Sequence, residues 1–291
     1  MRTIRKTAVV AGAAGALIVT GALSASAITA PKALDPGVRV VGLTSTNGIT
    51  SINTGTDKAS TTKSIKGLNG NEKVVGIDYR PATNKLYGLV LRTNDTLRVV
   101  KISPATGNTY SSKTLVDAAG AAIKSTGSSF GVDFNPTVDR LRVVNEKADN
   151  YRINVDTGAT TVDGKLAFAA GDANAGKTPR VPSVAYTNSR GGPSATGTTV
   201  LYDIEAGTDA LLRQAPPNDG TLNTVAKLGK DVRGSTGFDI ANVGGTDIAL
   251  ISNTSKGQTK LYKINLANGA TLQKSEIKNK TIIGLAAPTG R

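Results

Sequence analysis

Three aspartates recur at one position of a repeated motif: Asp78 in Gly-Ile-Asp-Tyr, Asp133 in Gly-Val-Asp-Phe and Asp239 in Gly-Phe-Asp-Ile. Carboxylate oxygens are the ligands that Ca²⁺ takes in proteins, and a pair of carboxylates supplies the acid and the base of glycoside hydrolysis. A residue repeated in successive copies also suits a scaffold, because its side chain can accept backbone N–H bonds in each copy. The sequence therefore leaves three roles open for these carboxylates: scaffold, calcium ligands or a catalytic pair.

A second candidate site lies in a loop that does not repeat, residues 169–180. Asp172 and Asn174 have the spacing of two calcium ligands, although the later ligands of a calcium-binding loop are missing. Lys177 and Arg180, together with glycine N–H groups, would instead bind an anion. An ordered connection between strands, without a ligand, is the third interpretation.

The residue types that the chain lacks exclude several classes of enzyme. It contains no His and no Cys, which rules out a Ser-His-Asp triad, a cysteine nucleophile, a histidine base and a structural zinc site. Trp is absent and aromatic residues make up only 4% of the chain, which argues against a site that stacks sugar rings. Chemistry is left to carboxylates, Lys, Ser, Thr and Tyr, and no catalytic residue can be assigned.

The elements that must position these residues are β-strands. The motifs begin at Gly76, Gly131 and Gly237, and each runs into alternating apolar segments that end in a glycine-containing turn. A degenerate copy, without the glycine or the aspartate, begins at residue 183. A strand-rich repeat of about 50 residues is typical of a β-propeller, in which each repeat forms one four-stranded blade.

The two ends of the chain complement each other. Residues 282–286 resemble the first strand of a blade with nothing after it, and residues 40–52 resemble later strands without a first one. Pairing them closes a ring and leaves no edge exposed to aggregation. We therefore predict an all-β, five-bladed β-propeller in which the C-terminal strand closes the N-terminal blade. Helical periodicity is weak, and its best candidate, residues 115–123, would be a short helix or an ordered loop.

The N-terminus has the features of a secretory signal peptide. Arg2, Arg5 and Lys6 precede a run of small and apolar residues, and residues 25–27, Ala-Ser-Ala, fit the cleavage pattern. We predict a signal peptide over residues 1–27, a flexible lead-in over 28–39 and a single propeller domain over 40–291. The mature protein would be secreted, extracellular or associated with the cell wall, and would have no transmembrane segment.

The charge of the chain indicates an anionic partner. Its 35 basic and 21 acidic residues give a net charge of +14, which falls to +11 without the three basic residues of the signal peptide. A protein this basic is attracted to polyanions such as teichoic acids or acidic polysaccharides. The charges are scattered and accompany no nucleic-acid-binding motif, so a merely solvated basic surface is the alternative.

The two complete motifs and the non-repetitive loop resemble a known family. Residues 76–83, 131–144 and 169–176 are similar to the signature of the bacterial domain-of-unknown-function family 4394, and the similarity extends from about residue 40 to about residue 287. The resemblance implies an exported bacterial β-propeller. It implies no activity, cofactor or catalytic residue, because the family has none assigned.

Three hypotheses for the function follow. The first is a non-catalytic extracellular or cell-wall-associated binding module, whose partner is an anionic polymer of the cell surface or another exported protein. The alternative is a carboxylate- or calcium-dependent hydrolase acting on carbohydrates or lactones, which requires Asp78, Asp133 and Asp239 to converge at one channel mouth. The third is an interaction propeller inside a larger exported assembly. Calcium is the only cofactor that any of them calls for.

Overall fold

The computed structural model describes residues 37–191, 197–234 and 236–289. Over these residues the protein consists of strands, turns and loops without a helix, and so without a helix able to span a membrane. The predicted signal peptide and residues 28–36 of the lead-in lie outside the described residues. In chain order the strands are β1 (Arg39–Thr44), β2 (Gly48–Asn53), β3 (Lys58–Ala59), β4 (Lys63–Ser64), β5 (Lys73–Arg80), β6 (Lys85–Leu91), β7 (Leu97–Ile102), β8 (Thr109–Thr114), β9 (Phe130–Asn135), β10 (Arg140–Asn145), β11 (Asn150–Ile153), β12 (Thr160–Val162), β13 (Ala167–Phe168), β14 (Ser183–Tyr186), β15 (Leu201–Glu205), β16 (Ala210–Gln214), β17 (Thr221–Lys227), β18 (Thr236–Val243), β19 (Thr246–Ser255), β20 (Gln258–Ile264), β21 (Thr271–Ile277) and β22 (Ile282–Ala286).

These strands form five sheets, which are the five blades of the predicted propeller. Blades 2, 3 and 5 are antiparallel meanders in chain order, β5 to β8, β9 to β12 and β18 to β21. Blade 4 contains β14 to β17, and the short strand β13 adds a parallel pairing outside β17. The degenerate copy that begins at residue 183 therefore forms a complete blade, although its first strand lacks both the glycine and the aspartate.

Blade 1 is built from both ends of the chain, as the sequence predicts. Its first strand is β22, which pairs antiparallel with β1, so that Val41 lies opposite Ala286 and Leu43 opposite Gly284. Strands β2, β3 and β4 complete the sheet. Strand β1 begins at Arg39, so the last residue of the predicted lead-in is part of the sheet.

The core consists of five apolar clusters, one between each pair of neighbouring blades. The first strand of each blade packs against both of its neighbours, and six consecutive residues of β5 are buried. This explains why the motif reads as a continuous apolar run and not as an alternating one. Between blades 2 and 3 the rings of Tyr87 and Phe134 meet edge to face, with their centroids 5.3 Å apart. Burial of this surface is the dominant favourable contribution to folding.

The glycine that opens the motif allows the first strands to approach each other closely. A Cβ atom at Gly131 would lie 2.8 Å from the Cα of Ser183 on the next blade, and one at Gly237 would lie 2.8 Å from the Cα of Gly284. Backbone atoms cannot yield at that distance, so these two positions require glycine. These close contacts narrow the central channel of the propeller.

The glycine turns that end the third strands of blades 2 and 3 join each of these blades to the preceding one. Gly107 and Gly158 have φ angles of +78° and +87°, and each accepts a backbone N–H bond from the connection that leaves the preceding blade. Residues 115–123, the best candidate for a helix, form one of these connections. They adopt an ordered loop in which Val116 bridges to Ala122, and the carboxylate of Asp117 accepts two backbone N–H bonds.

Candidate functional site

The three repeated aspartates meet at the centre of the propeller. Asp78 lies on β5, Asp133 on β9 and Asp239 on β18, in each case the first strand of a blade. One carboxylate oxygen of each lies within 4.8 Å of the other two, and the three residues are only 4, 2 and 3% exposed. We call this cluster the carboxylate ring. It brings the three residues together, but inside the protein and not at an open mouth.

Each carboxylate of the ring forms a hydrogen bond to the next blade. Its Oδ2 atom accepts a backbone N–H bond from the first strand of the following blade or from the residue directly after it, and the pairs are Asp78–Phe134 (2.8 Å), Asp133–Tyr186 (2.9 Å) and Asp239–Ala287. The other oxygen of Asp78 accepts the N–H of Tyr79 at 2.6 Å. Hydrogen bonds between an ionisable acceptor and backbone donors in a buried setting are among the stronger ones. The ring therefore fastens three of the five blade contacts.

The remaining two positions of the repeat carry alanine. Ala185 on β14 and Ala286 on β22 precede Tyr186 and Ala287, just as Asp78 precedes Tyr79. An alanine side chain has no acceptor, so the contacts from blade 4 to blade 5 and from blade 1 to blade 2 do without this bond. Three acids are thus close together where five positions converge.

Burial and mutual repulsion dominate the electrostatics of the ring. Desolvation raises the pKa of Asp78 well above its usual range, and the charge of Asp239 adds to the effect. The pKa of Asp133 is raised by burial and by both neighbouring carboxylates, and burial raises the pKa of Asp239 to about 7. No Lys or Arg side chain of the described residues forms an ion pair with any of the three. The ring therefore needs protons or a cation to offset its charge.

The spacing of the ring is compatible with a cation but not with a large substrate. Calcium lies roughly 2.3–2.6 Å from each oxygen ligand, so an ion among oxygens within 4.8 Å of one another is geometrically reasonable. Calcium binding stays a prediction from the sequence. The cavity above the ring, between Gly76, Gly131 and Gly237, has a volume of about 10 Å³, which is about the minimum for one water molecule. A sugar or a lactone does not fit there.

The non-repetitive loop is tied to the outer strand of blade 4. Asp172 accepts bonds from the N–H of Asn174 and from both the N–H and the hydroxyl of Thr224 on β17. Burial opposes ionisation of Asp172, but these hydrogen bonds outweigh it and lower its pKa. The side-chain oxygen of Asn174 accepts a bond from the ammonium group of Lys177 at 3.0 Å. These three predicted site residues form one network, whose contacts are those of an ordered loop.

Arg180, the fourth predicted ligand-binding residue, lies in a different place. Its backbone N–H donates to the carboxylate of Glu205 at 3.0 Å. Its exposed side chain lines a cavity of about 350 Å³, together with Pro182, Glu146 and Arg233. The loop thus does not bring Arg180 together with Asp172 and Asn174.

This cavity adjoins a second one, of about 210 Å³, and the two share Ser128, Ser129 and Gly234. The second cavity is also lined by Phe130 and Ile283, near the starts of β9 and β22. We call the two cavities together the mouth. Along the first strands the mouth, the glycine constriction and the carboxylate ring follow one another in that order.

Most charged side chains of the mouth already have hydrogen-bond or ion-pair partners within the protein. Glu146 accepts bonds from the N–H groups and the hydroxyls of both Ser128 and Ser129, and Arg233 forms an ion pair with Asp231. The side chain of Arg180 makes no hydrogen bond or ion pair with any residue that the structure describes. It is therefore the cation of the mouth that has no partner among the described residues, whereas the carboxylate of Glu146, whose donors are neutral groups, keeps its negative charge in the same cavity.

Sequence reasoning identified Arg180 but missed the rest of the mouth. Ser128, Ser129, Glu146 and Arg233 belong to three different connections, and none forms a motif with the others. What the sequence did offer was the position of these residues relative to the first strands. Ser128 and Ser129 directly precede the first strand of blade 3, and Arg233 lies three residues before that of blade 5. Connections that enter the first strands of a propeller meet at one end of its channel.

Structural comparison finds distant likenesses. The major allergen Mala s 1 of Malassezia sympodialis has 10% sequence identity and a TM-score of 0.37, over 80% of this chain and 73% of the allergen. A protein of unknown function from Dyadobacter fermentans has 9% identity and a TM-score of 0.44, over 82% of this chain and 74% of its own. The dihydro-heme d1 dehydrogenase NirN has 13% identity and a TM-score of 0.35, over 83% of this chain and 44% of the enzyme. At these values the likenesses carry no information about activity.

Sequence comparison is more decisive. No curated protein matches the chain. The model of one family matches residues 48–286, from the start of β2 to the end of β22, which includes all three aspartates of the ring and the whole mouth. The chain therefore belongs to the family described as "Domain of unknown function (DUF4394)".

Proposed function

We propose that the protein is a non-catalytic, exported binding module that holds an anionic group of its ligand at the mouth. In this proposal the carboxylate ring is structural and fastens the blades around the channel. The ligand is part of an anionic polymer of the cell surface, and the basic character of the chain attracts it.

The observation that carries the proposal is the position of Arg180. Its guanidinium lines a cavity of about 350 Å³ and has no partner among the described residues. A volume of this size lies within the range of ligand pockets, roughly 300–1,000 Å³. Arginine matches the planar geometry of carboxylates and phosphates, with which it forms paired hydrogen bonds.

The environment of the carboxylates favours binding over hydrolysis. A hydrolase needs an acid and a base or nucleophile within reach of its substrate. The ring residues are almost fully buried and each holds a backbone N–H of the next blade. In the mouth, Glu146 is saturated by serine donors and Asp231 is paired with Arg233. No observation on the described residues favours the hydrolase hypothesis.

The test measures how the purified protein binds polyglycerol phosphate, an anionic polymer, as salt rises from about 50 to about 300 mM. We expect binding that weakens with salt, and Arg180→Gln should reduce the affinity about tenfold, the loss of one charge-assisted contact. Arg213→Gln is the matched control, because Arg213 is an exposed arginine on β16 outside the mouth.

Two results would contradict the proposal. Equal losses in Arg180→Gln and Arg213→Gln would show that only net charge matters and that the mouth is not the site. Failure of the wild-type protein to bind at low salt would remove the anionic polymer as the ligand.

A further inference from the structure

We propose that the mouth accepts a small amphipathic acid, with its anionic group on Arg180 and its apolar body in the adjoining cavity. The inference rests on the part of the proposed function that places an anionic group of the ligand on Arg180, and it proposes a small acid as a ligand of that site in addition to the polymer. It follows from the form of the two cavities, the residues of the smaller one and the number of charges in the larger one.

The two cavities form one continuous site with two different ends. Ser128, Ser129 and Gly234 belong to both, so a ligand can extend from one cavity into the other. Arg180 lines only the larger cavity, of about 350 Å³, and Ile283 only the smaller one, of about 210 Å³. A ligand that fills both must therefore carry its charge at one end.

The smaller cavity suits an apolar group. Its apolar side-chain walls are Val75, Phe130 and Ile283, which come from the first strands of three different blades. The hydroxyls of Ser128 and Ser129 also face this region, but both donate to Glu146 and are not free to donate to a ligand. Because the first strands are the most buried strands of the fold, these walls are rigid before the ligand arrives. A preformed apolar cavity favours an alkyl or aryl group over a polar one.

The charges of the larger cavity favour a ligand with a single anionic group. Arg180 is unpaired among the described residues, whereas Arg233 is already matched by Asp231. One guanidinium offsets one anionic group, and the carboxylate of Glu146 in the same cavity repels a second one. One carboxylate or phosphate on an apolar body matches both the charge and the walls.

Calorimetry with a series of linear alkanoates, from four to ten carbons, tests the inference. We expect the affinity to rise about fourfold for each added methylene until the smaller cavity is full, from the transfer of about 0.8 kcal/mol per CH₂. The corresponding primary alcohols should bind at least about tenfold more weakly, because they lack the charge that Arg180 recognises.

Two variants test separately how the two ends of the ligand are bound. Arg180→Gln should weaken every alkanoate by a similar factor and leave the dependence on chain length intact. Gly234→Val should remove the dependence on chain length, because it fills the junction of the two cavities. A Cβ atom at Gly234 meets only the Ser129 side chain, whose hydroxyl lies 3.4 Å away, so the protein should fold. Arg213→Gln is again the control and should bind like the wild type. Circular dichroism and melting temperature confirm that each variant is folded.

The outcomes distinguish this inference from the proposed function. If the polymer binds through Arg180 but octanoate does not bind, the proposed function stands and the amphipathic ligand is refuted. If octanoate binds and neither Arg180→Gln nor Gly234→Val affects it, the acid binds elsewhere and the inference is also refuted. Growth of affinity with chain length that depends on both residues supports it.

Discussion

The carboxylate ring makes the stability of the propeller depend on pH, and Asp239→Asn tests this. The asparagine side chain would keep an oxygen that accepts the N–H of Ala287, so the bond to blade 1 is retained. It would lose the charge that repels Asp78 and Asp133. The substitution therefore removes the charge and keeps the bond between blades, although its NH2 group cannot accept the second backbone bond of Asp239, from Ile240.

The size of the expected change in the free energy of unfolding follows from the pKa of Asp239. Burial raises this pKa from 3.8 to about 7, and a shift of about 3 units corresponds to about 4 kcal/mol. For an acid with a raised pKa, the stability is full below the pKa of the unfolded state and is lost as pH rises through the folded value. The loss should therefore run from about pH 4 to about pH 7 for Asp239 and continue above neutrality for Asp78 and Asp133, whose pKa values are also raised.

The assay is urea denaturation at about pH 5 and about pH 9, with a chelator present to remove divalent cations. The wild-type protein should be less stable at the higher pH, and Asp239→Asn should be up to about 4 kcal/mol more stable than the wild type there. At the lower pH the difference should shrink to about 1–2 kcal/mol, because only about one of the three pH units of the loss has then been passed. Asp172→Asn is the control of opposite sign, because hydrogen bonds lower the pKa of Asp172 and stabilise its charged form.

One result would refute this reasoning, namely a wild-type protein that is as stable at about pH 9 as at about pH 5 in the presence of chelator. A separate outcome, measured without chelator, is a calcium-dependent rise in melting temperature that disappears in Asp239→Asn. That result would identify calcium as the counter-ion of the ring, and the calcium prediction from the sequence would then be correct.

Three further substitutions test other parts of the structure. Arg142→Met should cost about 1–3 kcal/mol in urea denaturation, because the buried carboxylate of Asp163 loses this guanidinium partner but keeps that of Arg152. Asp203→Asn should raise the melting temperature more at alkaline than at acidic pH, because burial raises the pKa of Asp203 and neither of its oxygens has a hydrogen-bond partner among the described residues. Gly107→Ala should destabilise the protein by at least about 1–3 kcal/mol, since φ is +78° there and the new Cβ would lie 2.2 Å from the Ser64 carbonyl oxygen; calorimetric unfolding measures the loss.

The blades and their order were predictable from the sequence because strand pairing within a blade is local. The spacing from Gly76 to Gly131 holds four strands, and their apolar pattern recurs in each copy. Closure by residues 282–286 was predictable for the same reason, since both ends of the chain are incomplete copies of one repeat. The degenerate copy at residue 183 was recognised through its later strands, and it forms a full blade because the strand tolerates Ser and Ala at these positions.

Some features of the candidate sites were likewise predictable from the sequence, and others were not. The repeat implied that Asp78, Asp133 and Asp239 occupy equivalent depths, because a radial array brings equivalent positions to one axis. It could not show how closely the glycines seal that axis, which depends on backbone contacts between blades. The sequence showed that the loop of Asp172 does not repeat. It could not show that the Asp172 carboxylate accepts the backbone N–H of Thr224 on β17.

The sequence by itself determined the fold class, the number of blades and the equivalence of the three aspartates, because these depend on periodicity along the chain. Only the tertiary structure decided that the ring is enclosed and that Arg180, Glu146 and Arg233 meet at one mouth. It also decided which of those charges are already paired. These features depend on side chains from different connections that come together only when the ring of blades has closed, and no local pattern encodes that.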